Sequence, residues 1–414
     1  MSDFLQKLRY VYTFDQLHNR RSVPSLKEIG SKTLVVRSLI LPFALIMVFL
    51  FSIFLILSGK RKSISVFILR CYRPAFASTY ISMVEPIVRQ ISNQVDKKEK
   101  TILVNPGGSF NFVFESSYKK HFDYYLDDDH KFIRLVFFLL PSFLVNKKKV
   151  DPQTFQFSRL WMLKPIESDY YENIFSEIGL TRGNFVCIGH PSLKYYKNRN
   201  LQNISNWSRF VDLSEYLLPL RYLHDSGYKI VRIGVDTDPI PLALESIPIH
   251  DYSGSSRTER GELWLFQNCK FVWSIGGNGA WWFGQKFGIP SLLTDGYQFI
   301  HGFNGSLYTQ QVIFSISENR LLNFKEQMML RDTTNKESLS RYGMIMVQNP
   351  PKLVVECLKD MFVLCDEVKI LSQNQKKLIT DFNEMVSRVI ELEIDDGWSK
   401  PCMSFLEFYK DLMI

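Results

Sequence analysis

Cys269 to Asp295 reads CKFVWSIGGNGAWWFGQKFGIPSLLTD, and the fold is decided there. Lys270 to Ile275 (KFVWSI) is a short apolar and aromatic run, the composition of a strand buried on both faces. Gly276-Gly277-Asn278-Gly279 follows as a tight turn poor in side chains. A helix is predicted from near Ala280 to Gly288, and Ile289-Pro290 leads into the next strand, Ser291 to Thr294. Strand, turn, helix and strand at this spacing make one unit of an α/β parallel sheet. Glycines let a backbone approach a ligand closely, and a helix start presents unpaired N–H groups with partial positive charge. Ser274, Gly276, Gly277, Asn278 and Gly279 are therefore candidates to hold a diphosphate; the plainer reading is a turn that packs strand to helix. The loop has no Gly-Lys-Ser/Thr and no G-x-G-x-x-G, and it lies late in the chain, which disfavours an ATPase or a dehydrogenase.

The same grammar extends outward. Phe185 to Ile188 (FVCI) is strand-like and runs into Gly189-His190-Pro191. Leu213 to His224 has helical spacing apart from Pro219, with Gly227 as a C-cap, and Lys229 to Ile233 (KIVRI) is the next strand. A short helix is predicted over Glu262 to Asn268. Downstream, Pro350-Pro351 opens a helix to about Leu364, and Ile370 to Glu393 reads as one long amphipathic helix. Nearer the N-terminus, Thr79 to Gln94 is helix-like with Ser78 as its cap, and Thr101 to Val104 is a short strand. Asn105-Pro106-Gly107-Gly108-Ser109 after it is a second, weaker strand-and-glycine opening.

A chain of 414 residues exceeds what one hydrophobic core usually serves, so two domains are expected. The boundaries predicted are a tail and membrane segment over 1–78, an N-terminal Rossmann-like domain over 79–182, a C-terminal one over 183–350, and closing helices over 351–414. The net charge of +8 suits anionic lipid or an anionic small substrate. No zinc-finger, RNP-like or basic-zipper pattern is present, and nucleic acid is set aside as a partner. The six cysteines are scattered without C-x-x-C spacing, as core thiols in a reducing compartment would be.

Ser38 to Ser58 (SLILPFALIMVFLFSIFLILS) carries no charge and has the length of a bilayer span. It begins too far into the chain for a cleaved signal peptide. Basic residues flank it on both sides, against a single span under the positive-inside tendency; with Pro42 within it, a hairpin or an in-plane insertion is a second expectation. Phe132 to Val145 is a shorter apolar stretch beside Lys147-Lys148-Lys149, read as a core helix or, secondarily, a lipid-touching patch.

Several residues are candidates for chemistry. Arg257, with Arg260 nearby, has the fork to grip a diphosphate, although a lone arginine is ordinarily a solvated surface residue. Asp236 and Asp238 form a D-x-D pair inside DTDPIP, where a turn role outweighs metal binding, so no metal is expected. His190 at a strand end is a candidate general base or phosphate donor, a structural histidine being an equal reading, and Glu115 is a second candidate base.

Taken in order, several segments resemble a family of bacterial glycosyltransferases of surface-polysaccharide and lipopolysaccharide assembly. The likeness runs from about Gly183 to Leu412 and rests on VCIGH (186–190), on Arg209, Asp212 and Tyr216, and on GYKIVRIG (227–234). It continues through DYSGSSR with Arg257, NCKFVWSIGGNG into GIP, YGMIMVQNPPKL (342–353) and SFLEFYKDLM (404–413). The resemblance implies a GT-B fold, two Rossmann-like domains facing a cleft, with terminal helices that brace both. It also implies a metal-independent enzyme with no cofactor, using a nucleotide sugar as co-substrate. The donor would meet Arg209, Arg257 and the Ser274–Gly279 turn, and a glycan or lipid-linked acceptor would face the loop of Asn105, Gly107, Gly108 and Ser109. The implied location is the inner, cytoplasmic membrane, with the catalytic domains facing the cytoplasm. Two departures stand out: Pro191-Ser192 replaces the family's Arg-Asp pair, and Gly108-Ser109 replaces its Gly-His step. They keep open a catalytically inactive membrane scaffold of the same fold, or a related non-hexosyl transferase.

Overall fold

The computed structural model describes residues 31–58, 64–69, 100–104, 122–126, 136, 144–150, 165–198, 210–296, 305–330, 336–366, 371–390 and 399–413. The chain divides into two compact units, Met1–Gln156 and Phe157–Ile414.

In the first unit, helix α1 (Ser31–Leu57) precedes four strands: β1 (Ile64–Leu69), β2 (Lys100–Val104), β3 (Tyr124–Leu126) and β4 (Asn146–Val150). They form a parallel sheet in the order β3-β2-β1-β4. Strand β1, at the centre with β2, lies inside the stretch where the sequence suggested only a tail and membrane segment. Its run ISVFIL shares the composition of the apolar helix just before it, which is why it escaped notice. The helix passes unbroken through Pro42, so the segment is not a hairpin. Its side chains are described from Phe43 onward, and over the described residues no helix is long and apolar enough to cross a membrane. Leu55, Val66, Ile102, Leu144 and Val145 make the core of this unit, so the end of the 132–145 stretch is buried and leads into a strand.

The second unit opens with α2 (Asp169–Glu177), β5 (Phe185–Gly189) and α3 (Leu193–Lys197). A 3-10 turn over Leu213–Tyr216 then runs into α4 (Leu217–Asp225), which places Pro219 in a first helical turn, where its missing N–H costs little. Next come β6 (Lys229–Ile233), β7 (Ile249–Asp251), α5 (Glu259–Asn268), β8 (Val272–Ile275), α6 (Ala280–Lys286) and β9 (Ser291–Gly296). Then follow β10 (Ser306–Gln310), β11 (Val312–Ser315), β12 (Arg320–Leu321), α7 (Phe324–Met329), α8 (Lys336–Arg341) and β13 (Met344–Val347). The tail holds α9 (Pro351–Cys365), α10 (Gln373–Ile390), β14 (Lys400–Pro401) and α11 (Met403–Phe408). Helix α2 belongs to this unit: Phe175 stacks on Trp264 at 4.9 Å, and the Gln267 side chain bonds both backbone groups of Ile166.

Seven strands form one sheet in the order β14-β10-β9-β8-β5-β6-β7, every neighbouring pair parallel. The chain moves outward from β5 through β6 to β7, then returns to β8 on the other side. The topology therefore reverses between β5 and β8, the position at which open α/β sheets gather ligands. Helix α6 lies close on β8 and β9 because Gly284 has no side chain: a Cβ there would stand 2.6 Å from a Val272 methyl. A separate antiparallel sheet, β12-β11-β13, closes over Ile313, Leu322 and Leu339. Phe405 of α11 stacks on Phe324 at 5.6 Å, and Phe362 of α9 meets Tyr228 and Phe271, so the described tail packs within this unit. The five described cysteines are free thiols; Cys187 lies in hydrogen-bond contact with Cys269, and Cys402 with Cys357.

One carboxylate joins these parts. Asp295, fully buried near the end of β9 with φ of 53°, accepts bonds from the Asn349 backbone N–H (2.7 Å) and side-chain amide (2.8 Å). Its other oxygen accepts the Tyr216 hydroxyl, and its N–H donates to Thr309. Burial pushes the carboxyl up to about 6, against the pull of Tyr216 and Asn349. The native state therefore holds this proton more tightly than the unfolded chain, whose aspartate titrates near 3.9. Stability from this site is full at acid pH and is lost as pH rises through the folded value, a difference on the order of 3 kcal/mol. Asp295→Asn keeps an acceptor for Asn349 and removes the titration. Its urea-unfolding free energy is expected to stay flat between about pH 4 and pH 7, where that of the parent falls with rising pH.

Candidate functional site

In a parallel sheet all strands end on one edge, so the loops after β5, β6, β7 and β8 gather there. His190 directly follows β5, and its Nε2 lies 3.0 Å from the Val211 carbonyl. A carbonyl only accepts, so Nε2 carries the proton. Burial lowers the imidazole pKa below its usual value, against the opposing effects of the Val211 carbonyl and Asp238. At neutral pH His190 is an uncharged base. Pro191-Ser192, the first departure from the family pattern, starts a helix: Ser192 Oγ accepts from the Tyr195 N–H at 3.3 Å and donates to the Asp236 carbonyl at 2.7 Å.

The loop after β6 is held by Arg232, only 5% exposed. Its Nη1 donates to the Asp238 carbonyl at 2.8 Å and its Nη2 to Thr237 Oγ1 at 3.0 Å. Nε and Nη2 also grip Asp251 on β7, its register partner, at 3.2 and 2.5 Å. The D-x-D pair has the turn role its setting suggested. Asp236 sits at positive φ, and the Asp238 carboxylate accepts the N–H groups of Leu193 and Lys194 at the start of α3. Among the described residues no group of three or more His, Cys, Asp or Glu stands together as a metal site.

This loop separates two adjoining pockets. One, of about 190 Å³, is lined by His190, Asp212, Arg232, Thr237 and Pro239 among others. The other, of about 490 Å³, is lined by Lys194, Asp236, Asp251, Ser253 and Arg257 among others. Arg257 is not the solvated arginine of the plainer reading. Its Nη2 bonds Glu262 at 2.5 Å, with side-chain exposures of 18% and 9%, and its Nε has no protein partner. Burial pushes the Glu262 carboxyl up, against the pull of Arg257. Lys194 is a cation the sequence reading passed over. Its clue was the helix that Ser192 caps just beyond the β5 loop.

The glycine turn after β8 is built as a closed structure. Gly276 and Gly277 have φ of 69° and 86°, a backbone region open chiefly to glycine. Ser274, fully buried, bonds Asn278 Oδ1 and accepts the Asn278 N–H, both at 3.1 Å. Asn278 Oδ1 also takes the Ala280 N–H at 2.9 Å. The start of α6 thus spends one of its donors on Asn278, where the sequence had suggested free N–H groups. The turn lies beside the β5 loop: a Cβ on Gly189 would stand 2.6 Å from Ala280 Cβ and 2.8 Å from the Asn278 amide. The turn does not line either pocket. Glu115, Arg209, Asn105, Gly107, Gly108 and Ser109 lie outside the described residues.

The pocket wall depends on Arg232, whose side chain is 6% exposed while that of Asp251 is 36% exposed, so losing Asp251 strands a buried guanidinium whereas losing Arg232 leaves a carboxylate that water can reach. Asp251→Ala is expected to cost roughly 2 kcal/mol in urea unfolding, and the double change with Arg232→Met to recover part of it.

No family model matches this chain, and no curated protein is similar to it. Among solved structures it is similar to the dodecameric iron-containing heptosyltransferase TibC, determined in complex with ADP-D-beta-D-heptose. The likeness is 14% identity and a TM-score of 0.35, over 60% of this chain and 62% of that one, so the chain spans less than two thirds of that protein. What the chain's own strands establish is an α/β protein with a seven-stranded parallel sheet and a pocketed edge at its strand ends.

Proposed function

We propose that this chain is a metal-independent glycosyltransferase that moves a sugar from a nucleotide-sugar donor to a glycan or lipid-linked acceptor in surface-polysaccharide assembly. It would act at the cytoplasmic face of the inner membrane. The observation that carries the reading is the pairing of a neutral, half-buried His190 with a polar pocket across one loop, lined by Lys194, Arg232 and Arg257 together with Asp236, Asp238 and Asp251, on the ligand-binding edge of a doubly wound sheet. The order of motifs from Gly183 to Leu412 supports it from the sequence side.

In this mechanism the donor's diphosphate sits against Lys194 and the Arg257 side chain, which also lines this pocket. The acceptor hydroxyl gives its proton to Nδ1 of His190 as its oxygen bonds the anomeric carbon. The bond from that carbon to the diphosphate breaks, and its electron pair leaves with the nucleoside diphosphate. Lys194 and Arg257 offset the charge that develops there, so no metal is required. The Gly276–Gly279 turn holds the β5 and β8 ends in register beside the donor, and Asn105 to Ser109 and Arg209 belong to the acceptor and donor sides as the family resemblance implies.

Calorimetric titration of the full chain with UDP-, GDP-, ADP-, TDP- and CMP-sugars is expected to show binding of one nucleotide class, unchanged by EDTA. Lys194 is exposed and Lys194→Ala leaves the fold intact, so a loss of about tenfold in donor affinity is expected from it. His190→Gln is expected to lower turnover by roughly 10²–10⁴ with donor affinity nearly unchanged. The acid limb of the rate profile of the parent is expected below the ordinary histidine value of about 6.5, because the base is already neutral there.

A second reading, an inactive scaffold on the same fold, draws on the buried Arg257–Glu262 pair, which commits Arg257 to holding the structure together. Failure of every nucleotide sugar to bind a folded chain would establish that reading in place of the first.

A further inference from the structure

Helix α1 gives one stripe to the protein. Ala44, Val48, Phe51 and Leu55, spaced to fall on one face, turn inward; Ala44 is fully buried, and Leu55, Val48 and Phe51 pack with Val66, Ile102, Leu144 and Val145 of the sheet. The opposite face holds Ile46, Phe49, Leu50, Ile53 and Leu57, with exposures from 37% to 81%. An apolar face of this extent, without one polar interruption, is an interaction surface.

The charge around it selects the partner. Lys32, Arg37, Lys60, Arg61 and Lys62 flank the apolar run, and Ser31 to Lys62 contains no acidic residue. The edge strand β4, Asn-Lys-Lys-Lys-Val, aligns Lys147, Lys148 and Lys149 with Val66, Phe67 and Ile68 of the strand against which α1 packs. The apolar face and the basic residues that flank it in sequence together complement an anionic phospholipid leaflet.

The same packing decides how the helix meets the bilayer. The part of the stripe that packs on the sheet, Val48 to Leu55, extends about 10 Å at 1.5 Å per residue, a third of a hydrocarbon core about 30 Å thick. If α1 spanned, the sheet would enter the hydrocarbon along that length. It would bring with it an edge strand whose sequence holds three consecutive lysines, which lipid does not accommodate. We propose that α1 is a monotopic anchor, lying in the plane of one anionic leaflet with its outer face immersed and its inner face on the sheet. The proposal deepens the membrane placement in the reading above and does not rest on the transferase chemistry.

The full chain, purified in detergent and diluted into vesicles, is expected to float with phosphatidylcholine–phosphatidylglycerol vesicles at least about tenfold better than with phosphatidylcholine alone. Ile46→Glu with Leu50→Glu is expected to abolish flotation while leaving the circular dichroism and nucleotide binding of the parent unchanged. With an epitope tag ahead of Met1 in the expressed protein, protease added to spheroplasts is expected to spare tag and body together. A digested tag beside a protected body would mean a spanning helix and overturn the in-plane anchor while leaving membrane attachment standing. Absence of flotation on either vesicle would overturn membrane attachment itself, and equal flotation on both would overturn the anionic partner. Since nucleotide binding is read on the same samples, each of these outcomes is separate from failure of the transferase reading.

Discussion

The second unit depends on a carboxylate that water cannot reach. Asp295 gathers the 3-10 turn ahead of α4, the end of β9, and Asn349, two residues before α9. Its main chain adds β10 and the following residue: the N–H meets Thr309, and the carbonyl accepts the Gln311 side chain at 3.1 Å. A buried charge is tolerable only when its oxygens are fully bonded, so each of these segments must be in place for the others to be stable. Nearby, Gln348 accepts the Asp212 N–H at 3.2 Å and ties the same two chain segments a second time.

That arrangement gives a physical meaning to the motifs that carry the family resemblance. Tyr216 and Asn349 meet on Asp295, and Asp212 meets Gln348 while capping the turn that holds Tyr216. Ser404, which opens the closing motif, donates its N–H to Asp360 of α9 at 2.7 Å. These residues build the frame behind the strand ends. Much of the polar chemistry at the strand ends is spent in the same way: Arg232 on the loop after β6 and on Asp251 of β7, Asp238 on a helix start, Asn278 on its own turn. Among the described residues, His190, Lys194 and the Nε of Arg257 keep bonding capacity there.

The parallel core was readable because its strands are continuous apolar runs closed by glycine, as at FVCIG, KIVRI and KFVWSI. The antiparallel sheet over Ile313 was not, because its strands are short and one of them, β13, alternates burial weakly in MIMV. Strand β1 was hidden by adjacency to a longer apolar segment of the same composition. At the site, His190 and Arg257 were legible as residue types placed after strands. Their states were not: the depressed imidazole comes from burial by segments distant in sequence, and the Glu262 partner, five residues from Arg257, is recognisable only once the turn into α5 brings the two together.

The paired thiols make the second unit a reporter of its own motions. Burial and the neighbouring thiol hold Cys187 well above its usual pKa, and the same holds for Cys402 beside Cys357. Only a thiolate attacks an alkylating reagent, and only a thiol that reaches solvent meets one. One pair belongs to the central sheet and the other to the junction of α9 with α11, so their alkylation rates clock the opening of two different places. Equal rates would describe a unit that opens all at once; a faster rate at the tail would describe one that frays from its C-terminal end.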